Sequence, residues 1–252
     1  MRTLLGPDDA EAITAVIAAT WGQGESLSRE MVVALATSGN VPCGAFEGDE
    51  LVGFVLGWAG VSPEDGLHVH SHQLATLPGL RHKGVGYALK LAQKAQALDQ
   101  GITLVRWTFD PLVSRNAWFN IAKLGASADR FLPDFYGLMA DAINAGERSD
   151  RLMIRWELDP PASSGLLPTS EAAPVLVRGA DGGPGEVSRP PERGPASIQI
   201  PREYHELRAS DPVMGRRWRD ATSAALTACF QAGFTVVGFN PDSTYLLVRQ
   251  GP

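Results

Sequence analysis

The chain has 252 residues, of which 44% are hydrophobic, enough to bury a real core and to read as globular. Its formal charge of −6 and pI near 5.4 argue against a nucleic acid or an anionic membrane as the main partner, since both require a basic face. The cluster Arg216, Arg217 and Arg219 is too small to reverse that balance. Two cysteines, Cys43 and Cys229, supply neither an arguable disulfide nor a metal-ligand spacing. Asp8, Asp9 and Glu11 interrupt the N-terminal segment, which excludes it as the apolar run of a signal peptide. No stretch approaches the ~20 apolar residues of a membrane span, so the expected address is the cytoplasm.

Asp8 and Asp9 precede Ala12, Ile13, Val16 and Ile17 at helical spacing and predict an N-capped amphipathic helix over 9–21. A second helix is expected over 28–37. Residues 41–47 and 51–58, divided by Gly48-Asp49-Glu50, predict a hairpin, followed by a Gly/Pro/Asp-rich loop at 60–66 and a strand from His68 to Leu77. Further along come a helix after Gly84, a strand at 102–109, a helix at 116–124 stopped by Gly125, an extended stretch at 128–136, a polar insertion around 138–150 and a strand at 151–158. This order describes an α/β (α+β) domain, a mixed sheet flanked by helices, over residues 1–158. Residues 159–196 are Pro/Gly-rich and linker-like, broken by a possible strand at Val175-Leu176-Val177. Residues 197–252 hold a helix over 212–232, with Trp218, Ala221, Ala225 and Phe230 facing a core, and two strands around Asn240-Pro241-Asp242. About 55 residues seldom bury a core alone, so this helix-plus-hairpin extension is expected to pack on the first domain; a partial repeat of its closing half is the alternative.

The most informative stretch is 74–101, LATLPGLRHKGVGYALKLAQKAQALDQG. With 27 glycines, G-x-G should occur about three times by chance and does so, at Gly22/Gly24, Gly84/Gly86 and Gly183/Gly185. Only the middle copy follows an alternating strand, has Arg81 three residues ahead of it and opens a helix. Leu89 breaks the dinucleotide-binding pattern, and no G-K-[ST] follows for a P-loop. What remains is Arg81-His82-Lys83-Gly84-Val85-Gly86, where backbone N–H groups, a helix dipole and two cations converge as a cradle for a pyrophosphate.

That R-x-x-G-x-G turn, after a strand ending Leu77-Pro78, resembles the acetyl-coenzyme A motif of the GNAT acetyltransferase superfamily. Asn116 and Lys123-Leu124-Gly125 are similar to the family's downstream helix, although Ala126 stands where the family has an aromatic residue. The strings HSHQLATLP, WTFDPL, RNAWFNIAKLGA and DFYG resemble a bacterial branch of predicted GNAT acetyltransferases. The resemblance implies a mostly antiparallel mixed sheet, acetyl-CoA as acyl donor, a pantetheine arm along Ala75, Thr76 and Leu77, and Asn116 beside that arm. It also implies direct transfer to the amine of a small-molecule or amino-acid-like acceptor.

Such a transfer needs a base for the ammonium. His68, His70 and His72 alternate along one face of the strand, and counting back from Arg81 places His70 where acid-bearing members of the family carry a catalytic Glu. His70 and His72 are therefore the leading candidates; hydrogen bonding within the sheet or lining a substrate pocket is the plainer reading of the same cluster. Asp110, which also begins an ordinary Asp-Pro turn, is the next candidate. Ile121 stands where many members carry a thiolate-protonating Tyr, and Tyr136 reads as a substitute or, more simply, as a buried structural Tyr. Trp58, Trp107, Phe109 and Trp118 read as core or pocket wall. Ile121 and the extension also support a different class of function, a noncatalytic acyl-CoA-binding or sensing module, and a longer acyl donor stays open. Strands at 151–158 and 244–249 are candidate edges for a homodimer.

Overall fold

The first helix, α1 (Pro7–Trp21), starts two residues ahead of the expected position because Pro7 suits the first helical site, where its missing N–H costs nothing. Asp9 then serves inside the first turn: its carboxylate accepts from the Gly6 N–H at 3.4 Å and from Arg2 at 2.6 and 3.1 Å. Helix α2 (Arg29–Thr37), expected over 28–37, is capped by Ser28, which accepts from the Met31 N–H at 3.2 Å. The computed structural model describes residues 1–4, 6–22, 27–40, 42–80, 83–137, 147–159 and 171–249. Most of the polar insertion expected at 138–150 and the segment 160–170 of the expected linker lie outside these.

The chain divides into two compact units: one comprises 1–107, 138–147 and 157–159, the other 108–137, 148–156 and 160–252. The division falls at residue 107/108, not at 158, so segments expected to close the first domain group with the C-terminal part. In the first unit, β1 (Arg2–Thr3), β2 (Cys43–Glu47), β3 (Glu50–Ser62) and β4 (Gly66–Thr76) pair antiparallel in that order. Strand β5 (Leu104–Phe109) then joins β4 in parallel. The loop expected at 60–66 shortens to a turn at 63–65: Gly60 pairs with His68 and Val61 with Leu67, so strand pairing overrides the turn-like composition on either side of it. Alternation along β3 sends Phe54 and Leu56 to a core shared with Ile13, Val16, Ile17 and Val32 of α1 and α2. Val52 and Val55 join Cys43, Ala45 and Leu89 on the side of α3 (Val85–Asp99).

In the second unit, β6 (Ser127–Leu132) pairs with β7 (Arg151–Glu157) and with β10 (Phe234–Asn240). The order continues through β11 (Thr244–Arg249), β9 (Ala196–Gln199) and β8 (Ala173–Leu176). Both edges of β11 are thus occupied, which corrects its expected availability as an edge for a homodimer. Helix α5 (Tyr204–Ser210) packs on α6 (Pro212–Gln231). The buried stripe of α6 is Gly215, Trp218, Arg219, Thr222, Ala225, Leu226 and Cys229; Ala221 and Phe230 are only half-buried. After α4 (Ser114–Ala117) the expected helix widens into a π-helical turn, Trp118–Lys123, whose Leu124 N–H reaches back five residues to the Phe119 carbonyl at 3.0 Å. Both cysteines are buried free thiols, Cys43 in the first unit and Cys229 in the second. Among the described residues no helix is long and apolar enough to cross a membrane.

Candidate functional site

The glycine turn and the strand ahead of it lie in the first unit and build the first half of the site. Gly84 caps α3 in the left-handed region at φ +83°, a conformation that a Cβ strains, and the space around it is open. The first intrahelical bond is Ala88 N–H to Gly84 O at 3.0 Å, so the helix makes no use of the Val85 and Gly86 amides. A Cβ on Gly86 would meet only Leu74, at 3.5 Å. No acidic residue occupies the first turn and Lys83 is exposed beside it, so the positive end of the dipole is uncompensated. Arg81 and His82 lie outside the described residues.

Strand β4 contributes an open edge. Its parallel pairing with β5 covers only Val69–Val105 and His70–Arg106; among the described residues no pairing continues beyond these. On the other side, the Leu77 N–H bonds Val52 O at 2.9 Å. Backbone groups alternate along a strand, so Ala75 and Leu77 are turned to β3, and Thr76 is turned to the open edge. An extended ligand arm could pair there as an added strand.

The histidines meet around an indole. Register shifts between Leu56–Gln73 and Gly57–Ser71, leaving His72 as the extra residue of a bulge in β4. Only glycine fits opposite: a Cβ on Gly57 would lie 2.5 Å from the His70 carbonyl oxygen and 3.0 Å from Ser71 Cα. The ring of Trp58, which pairs with His70 across the hairpin, has its centroid 5.0 Å from His70 and 4.9 Å from His72, whose own centroids are 6.2 Å apart. Burial, then the neighbouring charges of His72, His68 and Lys90, lowers the His70 pKa to about 4. His72 is also lowered by burial, although part of its ring reaches solvent. His68 turns away to Gly66, its Nδ1 lying 2.9 Å from that carbonyl oxygen. Alternation along β3 places Trp58 on the face of Phe54 and Leu56, that of α1.

The second unit holds the other residues anticipated from sequence. Asn116 is exposed on α4, and Ile121 is buried with no group to donate. Tyr136 is not the expected buried tyrosine: it is 46% exposed and its hydroxyl lies 3.0 Å from Thr108 Oγ1. Phe109 is core, as is Trp107 at the end of the first unit, whereas Trp118 is exposed. Asp110 receives two hydrogen bonds from Arg219, at 2.8 and 2.7 Å, and one from the Leu112 N–H at 2.9 Å. Burial alone would raise its pKa and is the largest influence. The charge and hydrogen bonds of Arg219, the Leu112 amide and the charge of Arg151 together outweigh it and leave the carboxyl lowered. A carboxylate saturated in this way is a structural anion and a poor proton acceptor.

One feature of the first unit went unread in the sequence. Lys90, on the buried face of α3, extends its Nζ to Ser71 Oγ at 2.7 Å and to Gln93 Oε1 at 3.1 Å, 3.7 Å above the Trp107 ring. Its position three residues before Gln93 and one after Leu89 gives a face, but a lysine is ordinarily read as solvated.

A parallel strand pair that separates beside a glycine-capped helix leaves free backbone groups and a helix N-terminus, a geometry that suits an anionic ligand. The acetyltransferase (GNAT) family model matches residues 15–125. That stretch is a GNAT acetyltransferase domain. No curated protein matches the chain. Among solved structures, yncA from Salmonella typhimurium, with its cofactor acetyl-CoA, shares 15% identity over 66% of this chain and 100% of its own, with a TM-score of 0.50. GphF, a GNAT-like decarboxylase in complex with isobutyryl-CoA, shares 17% identity over 63% of this chain and 98% of its own, also at 0.50. The ribosomal-protein-S18-alanine N-acetyltransferase of Escherichia coli shares 12% over 65% and 96%, at 0.49. The first two likenesses concern the mixed, mostly antiparallel sheet flanked by helices.

Proposed function

We propose that the chain is an acetyl-CoA-dependent N-acetyltransferase acting directly on the amine of a small-molecule or amino-acid-like acceptor. The observation that carries this reading is the coincidence of the left-handed Gly84 cap with the open β4 edge at Thr76, an anion site continuous with a strand-pairing site in one unit. The space around Gly84 and Gly86 fits a pyrophosphate approaching the backbone, with Lys83 and the Val85 and Gly86 amides holding it; Arg81 and His82 remain part of the proposed turn. Thr76 would pair with the pantetheine arm, flanked by Ala75 and Leu77, and its N–H would polarise the thioester carbonyl. Asn116 stays a proposed neighbour of the same arm. When bound, acetyl-CoA supplies an activated acyl group whose thiol leaves at a reference pKa of about 8.5, so a donor in place of Ile121 is not required.

The amine has to lose a proton to attack. A group of pKa about 4 is always neutral near pH 7 but accepts weakly, so His70 is best suited to hold a water or the acceptor, and the solvent-reaching His72 to take the proton. Asp110 is set aside as base because Arg219 occupies both its oxygens. A second reading, an acyl-CoA-binding protein with other or no chemistry, draws on Ile121 and on the GNAT-like decarboxylase among the likenesses. Calorimetric titration with acetyl-CoA of the protein and of a Gly84→Ala variant, followed by thiol release with a panel of amines, separates the readings. Binding without turnover would favour the second; no binding by the intact protein would refute both.

A further inference from the structure

Lys90 is buried, with 2% of its surface exposed, and among the described residues no carboxylate pairs with it. It touches Ser71 on β4, Trp107 on β5 and Gln93 on its own helix, and His70 is the titratable group whose proton affinity its charge lowers. A leucine or methionine would pack against the Trp107 ring without the cost of desolvating an amine. What only the amine supplies is a tie. It joins the helix that begins at the Gly84 turn to Ser71, the residue flanked by His70 and His72 and facing Gly57 where the register shifts. A bulge leaves one residue without a ladder partner, and the aim of the side chains around it depends on how that local geometry is held. The tie from the α3 side therefore bears on what the opposite face presents, the two imidazoles beside Trp58.

We propose that Lys90 is a positioning residue: through Ser71 it fixes the β4 bulge and so holds His70 and His72 against Trp58 for the acceptor. This rests on the functional reading above, in which the histidines serve the amine. The loss of affinity for protons that burial imposes on Lys90, to a pKa of about 7, means that the amine accepts as well as donates near neutrality, so both hydrogen-bonded neighbours remain satisfied in either state.

Two variants test it, Lys90→Met, which removes the amine at similar volume, and Ser71→Ala, which keeps the amine and removes its partner on β4. In the free, full-length protein, NOEs between the Trp58 indole and the His70 and His72 rings are recorded, and kcat and KM are measured with an amine found by thiol release. Expected are weakened NOEs to both rings in each variant and a fall in kcat of about tenfold or more, with calorimetric affinity for acetyl-CoA held within about threefold. In Lys90→Met the His70 titration should also move to higher pH, since a neighbouring positive charge is gone; in Ser71→Ala it should move less. Intact NOEs in Ser71→Ala, with kcat within about twofold of the parent, would overturn the proposal. If Lys90→Met fails to fold, Ser71→Ala still decides. If no amine is turned over, the functional reading fails, while the NOEs in the free protein still support or overturn the tie.

Discussion

Replacing Arg219 by Met is the most informative single perturbation of the second unit. The Arg219 and Asp110 side chains are 6% and 11% exposed and meet through two hydrogen bonds of 2.8 and 2.7 Å. Unit charges about 4 Å apart at an effective dielectric of about 20 attract by about 4 kcal/mol, and removing one member of a buried pair costs about 3–5 kcal/mol because the other is stranded. At about 2–4 °C per kcal/mol for a chain of this size, the melting temperature should fall by about 6–20 °C at pH 7. The pH dependence has a definite sign. In the parent, Asp110 has a lowered pKa, so its contribution is complete above the unfolded value of about 3.9 and is lost only as pH falls through the lower folded one. Without Arg219, burial dominates and raises the carboxyl, so acid protonates the stranded group and relieves the variant. The gap between variant and parent should therefore narrow between pH 7 and pH 4, and the double variant Asp110→Asn, Arg219→Met should recover about half of the loss or more. Melting followed by the fluorescence of Trp218, fully buried in the same unit, reads all three. A gap below about 2 °C at pH 7, or one that widens in acid, would refute the argument that this pair is dry and mutually dependent.

Gly84→Ala should cost about 1–2 kcal/mol, because its φ of +83° is strained for a Cβ although no atom lies in the way, and calorimetry should show weaker acetyl-CoA binding. His72→Ala should lower kcat by about 10²-fold with little change in acetyl-CoA affinity, whereas His70→Ala should raise the acceptor KM; equal activity of His72→Ala would remove it as base. Tyr245→Phe should lose about 1–3 kcal/mol in urea unfolding, since it leaves the Pro111 carbonyl without the 2.7 Å bond from that buried hydroxyl. Residues 197–252 expressed alone should give circular dichroism of an unfolded chain, because β10 would lack β6 and Arg219 would lack Asp110.

Elements governed by local chemistry were legible in the sequence. Helix α2, the helix opened by Gly84, and the hairpin of β10 and β11 all follow from spacing and turn residues. Where pairing across long separations decides, legibility ended. Gly60 and Val61 resemble a loop until His68 and Leu67 pair with them, and the short β9, with only Ala196 and Ile198 buried, becomes a strand because β11 lies beside it. Near the candidate site, Gly84 as the start of α3 could be read from its spacing, and the nearness of His70 and His72 from their places two residues apart. Arg219 and Lys90 could not, because hydropathy assigns both to solvent, whereas Asp110 and Ser71 give each a partner inside. The bulge at His72 also escaped, since no residue type announces it; only the nearness of the His70 carbonyl to Gly57 explains why position 57 has no side chain.

The placement of the two thiols gives the protein a built-in reporter. Desolvation raises Cys43, although Gln96 donates to its sulfur at 2.9 Å, and desolvation raises Cys229 to about 12. Neither is a competent nucleophile while the fold is closed, so a disulfide reagent added during turnover colours only with coenzyme thiol released into solution. Once a unit opens, its cysteine reverts to ordinary reactivity. Because each unit holds one, the order in which the two positions become labelled would tell which unit opens first, with no probe engineered into the chain.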